Sequence, residues 1–285
     1  MGKIKAKISS ILSKYSKMHW IDLFYFVKNS FWLLVAQFVT SLRWIILVLL
    51  MTNLLGKQKF GEYTFIMAII GIISVIALPW SWVAMIQSIS RWFQWTYKFL
   101  LKKILTYSVI WSGILILIWI FINHFKDFPN SNVFFRIALL FPLYVVVWYY
   151  PYFLTWEKKF DLRAKYEMIS STIIIIWTVI MLFLSKSILY ILPALLAIKI
   201  IANSIFEARV LKSANNKIDQ EALPYAKKLS RLTVLTMIKM YWDKLIVSYY
   251  LWFIQTWIYA VATSINDQIY AFWKIIGNLD RKSVV

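Results

Sequence analysis

The chain of 285 residues is 61% hydrophobic, 19% aromatic and only 15% charged, with a formal net charge of +20. Its mean hydropathy of +0.68 excludes a soluble globular domain, and the lack of cysteine excludes disulfides, thiolate metal sites and cysteine nucleophiles. His19 and His124 lie far apart with no ligand spacing around them, so no metal and no cofactor is expected.

Residues 1–30 carry Lys3, Lys5, Lys7, Lys14, Lys17 and Lys28, while Ile4, Ile8, Ile11, Tyr15 and Met18 recur at steps of three and four. This pattern predicts a basic amphipathic helix on a membrane surface. It does not fit a cleaved leader, because the apolar run that follows is too long and lacks a small-residue cleavage site. That run, Phe31 to Leu54, carries a single full charge, Arg43, near its middle. As a helix it is about 36 Å long, enough to cross a hydrocarbon core of about 30 Å. Arg43 then lies too deep to snorkel to either headgroup layer, and a cation there costs about 2.5–3.5 kcal/mol. It must face protein, water or a bound anion.

Seven further apolar stretches follow, at roughly 64–86, 104–123, 133–155, 168–185, 188–206, 232–251 and 257–277. The expectation is an all-α polytopic transmembrane helical bundle of about eight spans, in which Pro79, Pro142 and Pro193 fall inside spans and kink them. The organisation read from this pattern is a basic segment at 1–30, a six-span lobe at 31–206, a polar connection at 207–231 and two more spans within 232–285.

Alternate loops differ sharply in cations. Only Lys57, Lys59, Lys126, Arg136 and Lys186 fall on one side. The N-terminal lysines, Arg91, Lys98, Lys102, Lys103, the 158–165 cluster, Arg209 to Arg231, Lys274, Arg281 and Lys282 fall on the other. The positive-inside rule makes that side, and the N-terminus, cytoplasmic. The basic balance is thereby a matter of topology and contact with anionic membrane lipids, not of nucleic-acid binding.

Four cations and two anions lie at membrane depth: Arg43, Lys199, Lys239, Lys244, Asp243 and Asp267. Such residues mark sites by default. Lys239 and Asp243 are four apart on one helical face and are expected to pair, either as a structural ion pair or beside a substrate. Lys244 is drawn toward water beside Asp243 and Arg43 toward either aspartate, while Asp267 has a third reading, as a proton or sodium site for coupling. Arg91, closing the second span, is an ordinary interfacial cation or a cytoplasmic gate. Gln37, Asn203 and Asn266 are expected to bond to neighbouring helices. No acid, base, nucleophile or metal cluster with recognisable spacing occurs in the loops, so an enzyme is not expected.

Glycine is scarce at 6 residues, while tryptophan reaches 16, although glycine averages about 7% of residues. Trp80, Trp82, Trp92 and Trp95 crowd the end of the second span, Trp156 begins a tight loop, and Trp252 and Trp257 flank a very short turn. An interfacial aromatic belt accounts for the first group but not for the missing glycines. The pattern fits a message whose source reads UGA as glycine and which has been translated here with UGA as tryptophan.

Three regions carry a resemblance. NLLGKQKFGEY at 53–63, with LPWSWVAMIQSISR after the next span, resembles the first hairpin of Wzx-like flippases of polysaccharides and lipid-linked oligosaccharides, in the multidrug and oligosaccharidyl-lipid exporter superfamily. YWDKLIVSYYLWFIQTWIYAVAT at 241–263 resembles the opening of that family's second lobe, and WEKKFDLRAKYE at 156–167 its basic connection between spans four and five. The resemblance implies two lobes of about six spans around a cationic cavity. This chain would supply the N-terminal lobe and the first two spans of the second, so a longer reading frame or a paired short form is expected.

The implied activity is translocation of polyprenyl-pyrophosphate-linked oligosaccharide across the inner membrane for surface polysaccharide such as O-antigen lipopolysaccharide. Arg43, Lys199, Lys239 and Lys244 would bind the substrate, with a glycan polymerase or glycosyltransferases as partners. A drug or peptidoglycan-precursor exporter, and a non-transporting scaffold for glycan-assembly enzymes, are the alternatives. Because the chain has no cysteine, a single Lys212→Cys probe tests the orientation. It is expected to resist impermeant thiol reagents in intact cells and to label in inverted vesicles; labelling from outside overturns the assignment.

Overall fold

The computed structural model describes residues 23–125, 131–213 and 217–280, and every regular element in it is helical. In chain order these are α1 (Leu23–Leu55), α2 (Lys57–Ile73) with a 3-10 turn (Ser74–Ala77), α3 (Ser81–Ser90) and α4 (Trp95–Phe125). Then come α5 (Asn132–Val146), α6 (Tyr150–Trp156), α7 (Phe160–Leu184), α8 (Ile188–Ser213), α9 (Ala222–Leu232) and α10 (Val234–Asp280). Among the described residues seven helices are long and apolar enough to cross a membrane, so the chain is an all-α, multi-pass bundle. The surface amphipathic helix expected within 1–30 falls mostly outside the described residues, and α1 already begins at Leu23.

Several boundaries differ from the sequence reading. The second span is Lys57–Ala77 instead of 64–86, because Leu78 turns left-handed (φ 55) before Pro79 and the chain restarts as the separate short helix α3. Pro79 therefore lies between helices, whereas Pro142 and Pro193 sit inside α5 and α8. The third span begins at Trp95, so Lys98, Lys102 and Lys103 ride on the helix itself. The 207–231 connection is largely helical: α8 runs on to Ser213, and α9 turns Ala222, Ala226 and Ser230 inward against its otherwise charged face.

The seventh long helix folds back on itself. Trp252 has φ 70 and ψ 172, and two contacts across it fix a hairpin. The hydroxyls of Ser248 and Thr256 lie 2.9 Å apart, and the Tyr259 hydroxyl donates to the Asp243 carboxylate. In a straight helix residues 243 and 259 would be about 24 Å apart. The α10 arms are therefore antiparallel and lie at the two stretches expected at 232–251 and 257–277, although by length and composition the element counts as one candidate span.

Glycine decides how the first arm docks. A Cβ on Gly61 would overlap the backbone of Phe253, and one on Gly71 would overlap the Tyr241 ring. These two positions place the α10 arm directly on α2, running in the opposite direction. The second arm lies along α1, where the Trp257 indole donates to Thr52 Oγ1 at 2.9 Å and Ser41 Oγ donates to Gln268 Oε1 at 2.8 Å. Gln37 Nε2 joins this group, 3.4 Å from Gln268 Oε1, and Ser170 Oγ donates to Asn203 Oδ1 at 2.7 Å between α7 and α8. The sequence reading of Gln37 and Asn203 as interhelical bonds agrees with this geometry.

Loops separate into two ends. Lys59 Nζ donates to the Lys186 carbonyl at 2.9 Å, and the Arg136 guanidinium stacks over Tyr190 at 4.7 Å, so the cation-poor loops meet. At the opposite, basic end Asp219 ties α9's approach to the bundle, accepting from Ser88 Oγ at 2.8 Å while its own N–H donates to Thr96 Oγ1. Below it, Tyr97 donates to the buried Glu207 at 2.5 Å. Two buried apolar clusters mirror this division. One includes Met51, Ile66, Trp111, Phe134 and Ile191, and the other, toward the basic end, includes Met85, Leu100, Ile104 and Phe153.

Among the described residues, two of the four non-glycine residues with positive φ are tryptophans, Trp92 at 68° and Trp252 at 70°. The left-handed region costs an L-residue roughly 1–2 kcal/mol and is the ordinary place for glycine. Trp111 and Trp177 present buried indole N–H groups with no acceptor, each costing about 1–3 kcal/mol. The Trp111 ring also sits only 3.3 Å, centroid to centroid, from Phe141, inside the usual separation of about 4.5–7 Å.

The docking geometry makes a direct prediction. Gly61→Ala is expected to destabilise the bundle by about 1–3 kcal/mol through overpacking against Phe253, read as a lower melting midpoint in detergent. Gly113→Ala, whose Cβ would meet open space, is the control and should melt no lower than the parent; equal midpoints for the two variants would contradict the close approach.

Candidate substrate cavity

Helix α1 carries Arg43 into the middle of the bundle because its helical register sets Leu47 and Met51 on the buried face one and two turns beyond. There Arg43 Nη1 donates to Ser171 Oγ of α7 at 3.3 Å. Lys199 of α8 lines the same narrow cleft, together with Trp44, Tyr63 and Met67. The cleft holds about 20 Å³, room for roughly one water. The Lys199 ammonium also lies 5.7 Å from the Tyr144 ring centre, within range of a cation–π contact.

Trp44, Tyr63 and Met67 also border a much larger, partly open cavity of about 860 Å³, lined by α2, α5 and the α10 hairpin. Tyr63, Tyr144, Tyr149, Tyr152, Tyr241 and Tyr259 line it. Its polar wall belongs to α10: Asp243, Lys244, Asn266, Asp267 and Gln268. The lining reaches Ser74, Pro79 and Trp82, so the cavity extends toward the basic end. Rings with one polar atom suit a cavity that must be wet on one side and pack in hydrocarbon on the other.

The predicted site residues divide accordingly. Arg43 and Lys199 come together. Lys244, Asp243 and Asp267 face the larger cavity, whereas Lys239 is exposed and lines neither space. The expected Lys239–Asp243 pair is absent: among the described residues the salt bridges are Lys159–Glu157 and Arg163–Glu167. The reason is local, since Asp243 instead accepts from the Tyr259 hydroxyl and from the Lys244 N–H. Arg43 likewise forms no salt bridge with Asp243 or Asp267 among the described residues; those aspartates belong to the cavity wall and Arg43 to the cleft behind it. Arg91 is exposed at the end of α3, its N–H on the Ser88 carbonyl.

Sequence reasoning missed Ser171 and the six tyrosines. A signal for the tyrosines was present. Tyr144 and Tyr241 fall inside apolar stretches, not at the interfacial depth where aromatic belts place them. Ser171 had no such signal, because it becomes a partner of Arg43 only through the packing of α1 on α7.

Asp243 thus closes the hairpin as well as facing the cavity. Tyr259→Phe is expected to cost about 1.5–3 kcal/mol, the worth of a hydrogen bond to a charged group, read as a lower midpoint of thermal unfolding. In a double-mutant cycle, adding Asp243→Asn to Tyr259→Phe should cost less than Asp243→Asn costs in the parent; strict additivity would mean that the bond contributes nothing.

No protein-family model matches the chain, and no curated protein or solved structure matches it.

Proposed function

We propose that the protein is a membrane carrier, not an enzyme, and that it translocates a polyprenyl-pyrophosphate-linked oligosaccharide across the cytoplasmic membrane for surface polysaccharide synthesis. The observation that carries this reading is the pairing of Arg43 and Lys199 in one mid-bundle cleft, behind the wall of a large tyrosine-lined cavity. Moving a pyrophosphate through hydrocarbon requires cations that replace its hydration. Arg supplies a planar fork for phosphate oxygens and Lys a point charge. Sugars, bearing hydroxyls on apolar rings, suit the adjoining tyrosines and the carboxylate and amide groups of α10. The polyprenyl chain stays in lipid.

In this reading the basic end is cytoplasmic and touches anionic lipids, and the cavity, extending toward that end, is the inward-facing state. Transport proceeds by alternating access, with the α10 hairpin and whatever packs on it moving relative to the remaining helices. The departure from the family pattern is quantitative. Two of the four expected cations meet, and the large cavity itself carries two carboxylates against one ammonium, so phosphate binding rests on the cleft.

The test is export of surface glycan in cells that depend on this protein. Arg43→Ala is expected to lower export at least tenfold with unchanged membrane insertion, Lys199→Ala to lower it less, and Arg43→Lys to retain part of it. Normal export by Arg43→Ala would remove the cleft from the mechanism.

A further inference from the structure

The tryptophans at 92 and 252 occupy backbone conformations that belong to glycine, yet their side chains gain little in return. Trp92 is 74% and Trp252 78% exposed. An aromatic belt selects side chains and does not ask for a left-handed backbone, so interfacial anchoring leaves the φ values of 68° and 70° unexplained. The positions are structurally unrelated: one follows α3 at the basic end and the other is the tip of the α10 hairpin. Tryptophan is 16 of 285 residues but supplies half of the positive-φ non-glycine positions among the described residues. The buried, acceptor-less indoles of Trp111 and Trp177 are a separate observation in the same direction, since removing the side chain removes the orphan donor. Other tryptophans are well served: Trp119 donates to Asn132 Oδ1 and Trp257 to Thr52 Oγ1, each at 2.9 Å. The misfit is therefore specific to certain positions.

The glycines that the sequence does contain show what the fold uses them for. Gly56 has φ 90, and Gly61 and Gly71 permit close approach. Trp92 and Trp252 are further positions of the first kind. Among the tryptophans near the proposed site, Trp44 matters most, because it borders both the Arg43–Lys199 cleft and the large cavity. Like Tyr63 and Met67, it lines both spaces.

We infer that the source decodes positions 92 and 252 as glycine, by reading UGA as glycine, and that a side chain smaller than tryptophan at position 44 joins the Arg43–Lys199 cleft to the large cavity as one anion site. The second half rests on the translocation reading for its choice of ligand; the first half does not. The joined site takes a pyrophosphate group at the two cations, with the rest of the head group in the cavity.

Two measurements test this. Protein isolated from its native source is digested, and the masses of the Ala77–Lys98 and Leu245–Lys274 segments are read. Each is expected to be lighter than this sequence requires by the tryptophan-to-glycine difference at positions 92 and 252, and fragment ions place the change. Intact indoles at both positions overturn the decoding.

Separately, the full chain and its Trp44→Ala variant, which keeps a helix-favouring residue in α1, are titrated with inorganic pyrophosphate in detergent. The variant is expected to bind at least tenfold more tightly, and Arg43→Ala in the variant background to abolish the gain. Equal binding by parent and variant overturns the joined site, with thermal unfolding confirming that both are folded. Because the masses are read without any transport assay, failure of the translocation reading leaves the decoding result standing on its own.

Discussion

The cavity exists because α10 can lie flat on α2, and it can do so only where α2 has no side chain. Gly61 lets the Phe253 backbone approach, and Gly71 lets the Tyr241 ring seat against the helix. With the first arm fixed there, reversal at Trp252 sends the second arm back along α1, where Thr52, Ser41 and Gln37 receive Trp257 and Gln268. Each of these is a polar contact inside an apolar bundle, and in hydrocarbon such groups must find protein partners. The hairpin is thus registered at both ends, and its polar face, with Asp243 and Asp267, turns to the cavity. Loosening the α2 contact would free that face and the tyrosines opposite it.

Charge is segregated in depth as well as by side. The basic end holds most cations in water or headgroups, where they cost little. Arg43 and Lys199 are the exception: both lie at mid-bundle, one on α1 and one on α8, and no carboxylate forms a salt bridge with either among the described residues. Ser171 and the Tyr144 ring give them one weak contact each. Asp243 is held instead by Tyr259 across the hairpin. Helix-to-helix geometry, not net composition, keeps the two signs apart.

How much of this was legible in the sequence depended on whether the determinant was local. Span existence, the two-sided sorting of cations and the turn near 252 are written in runs of apolar residues and in loop composition, and the helices follow them. Boundaries near Pro79 were misplaced because Leu78 to Trp80 is as apolar as the span it ends; only the left-handed backbone at Leu78 separates α2 from α3. The Lys239–Asp243 pair looked sound by helical spacing, yet Asp243 had a better partner sixteen residues on. That partner is reached by chain reversal, which spacing within one helix cannot reveal. For the same reason Arg43 was legible as a cation at mid-depth and Lys199 as a candidate beside it, whereas Ser171, from another helix, was not.

Two basic groups sharing a narrow apolar cleft disfavour being charged together, and the penalty grows as water is excluded. Such an arrangement persists only if packing elsewhere holds it, as the surrounding Leu47, Ile174 and Leu192 do. Supplying a carboxylate would relieve the repulsion permanently and leave a structural ion pair. Among the described residues no carboxylate does this, and in the proposed carrier a mobile anion supplies the relief, gaining most from the site when both cations reach it together. A phosphate with charge on several oxygens does this better than a single carboxylate, since it can bridge the Arg fork and the Lys ammonium at once. In the proposed carrier the anion must also leave again, and a cleft that engaged only the phosphate, with the sugar against separate tyrosines, would divide binding into two parts released in turn.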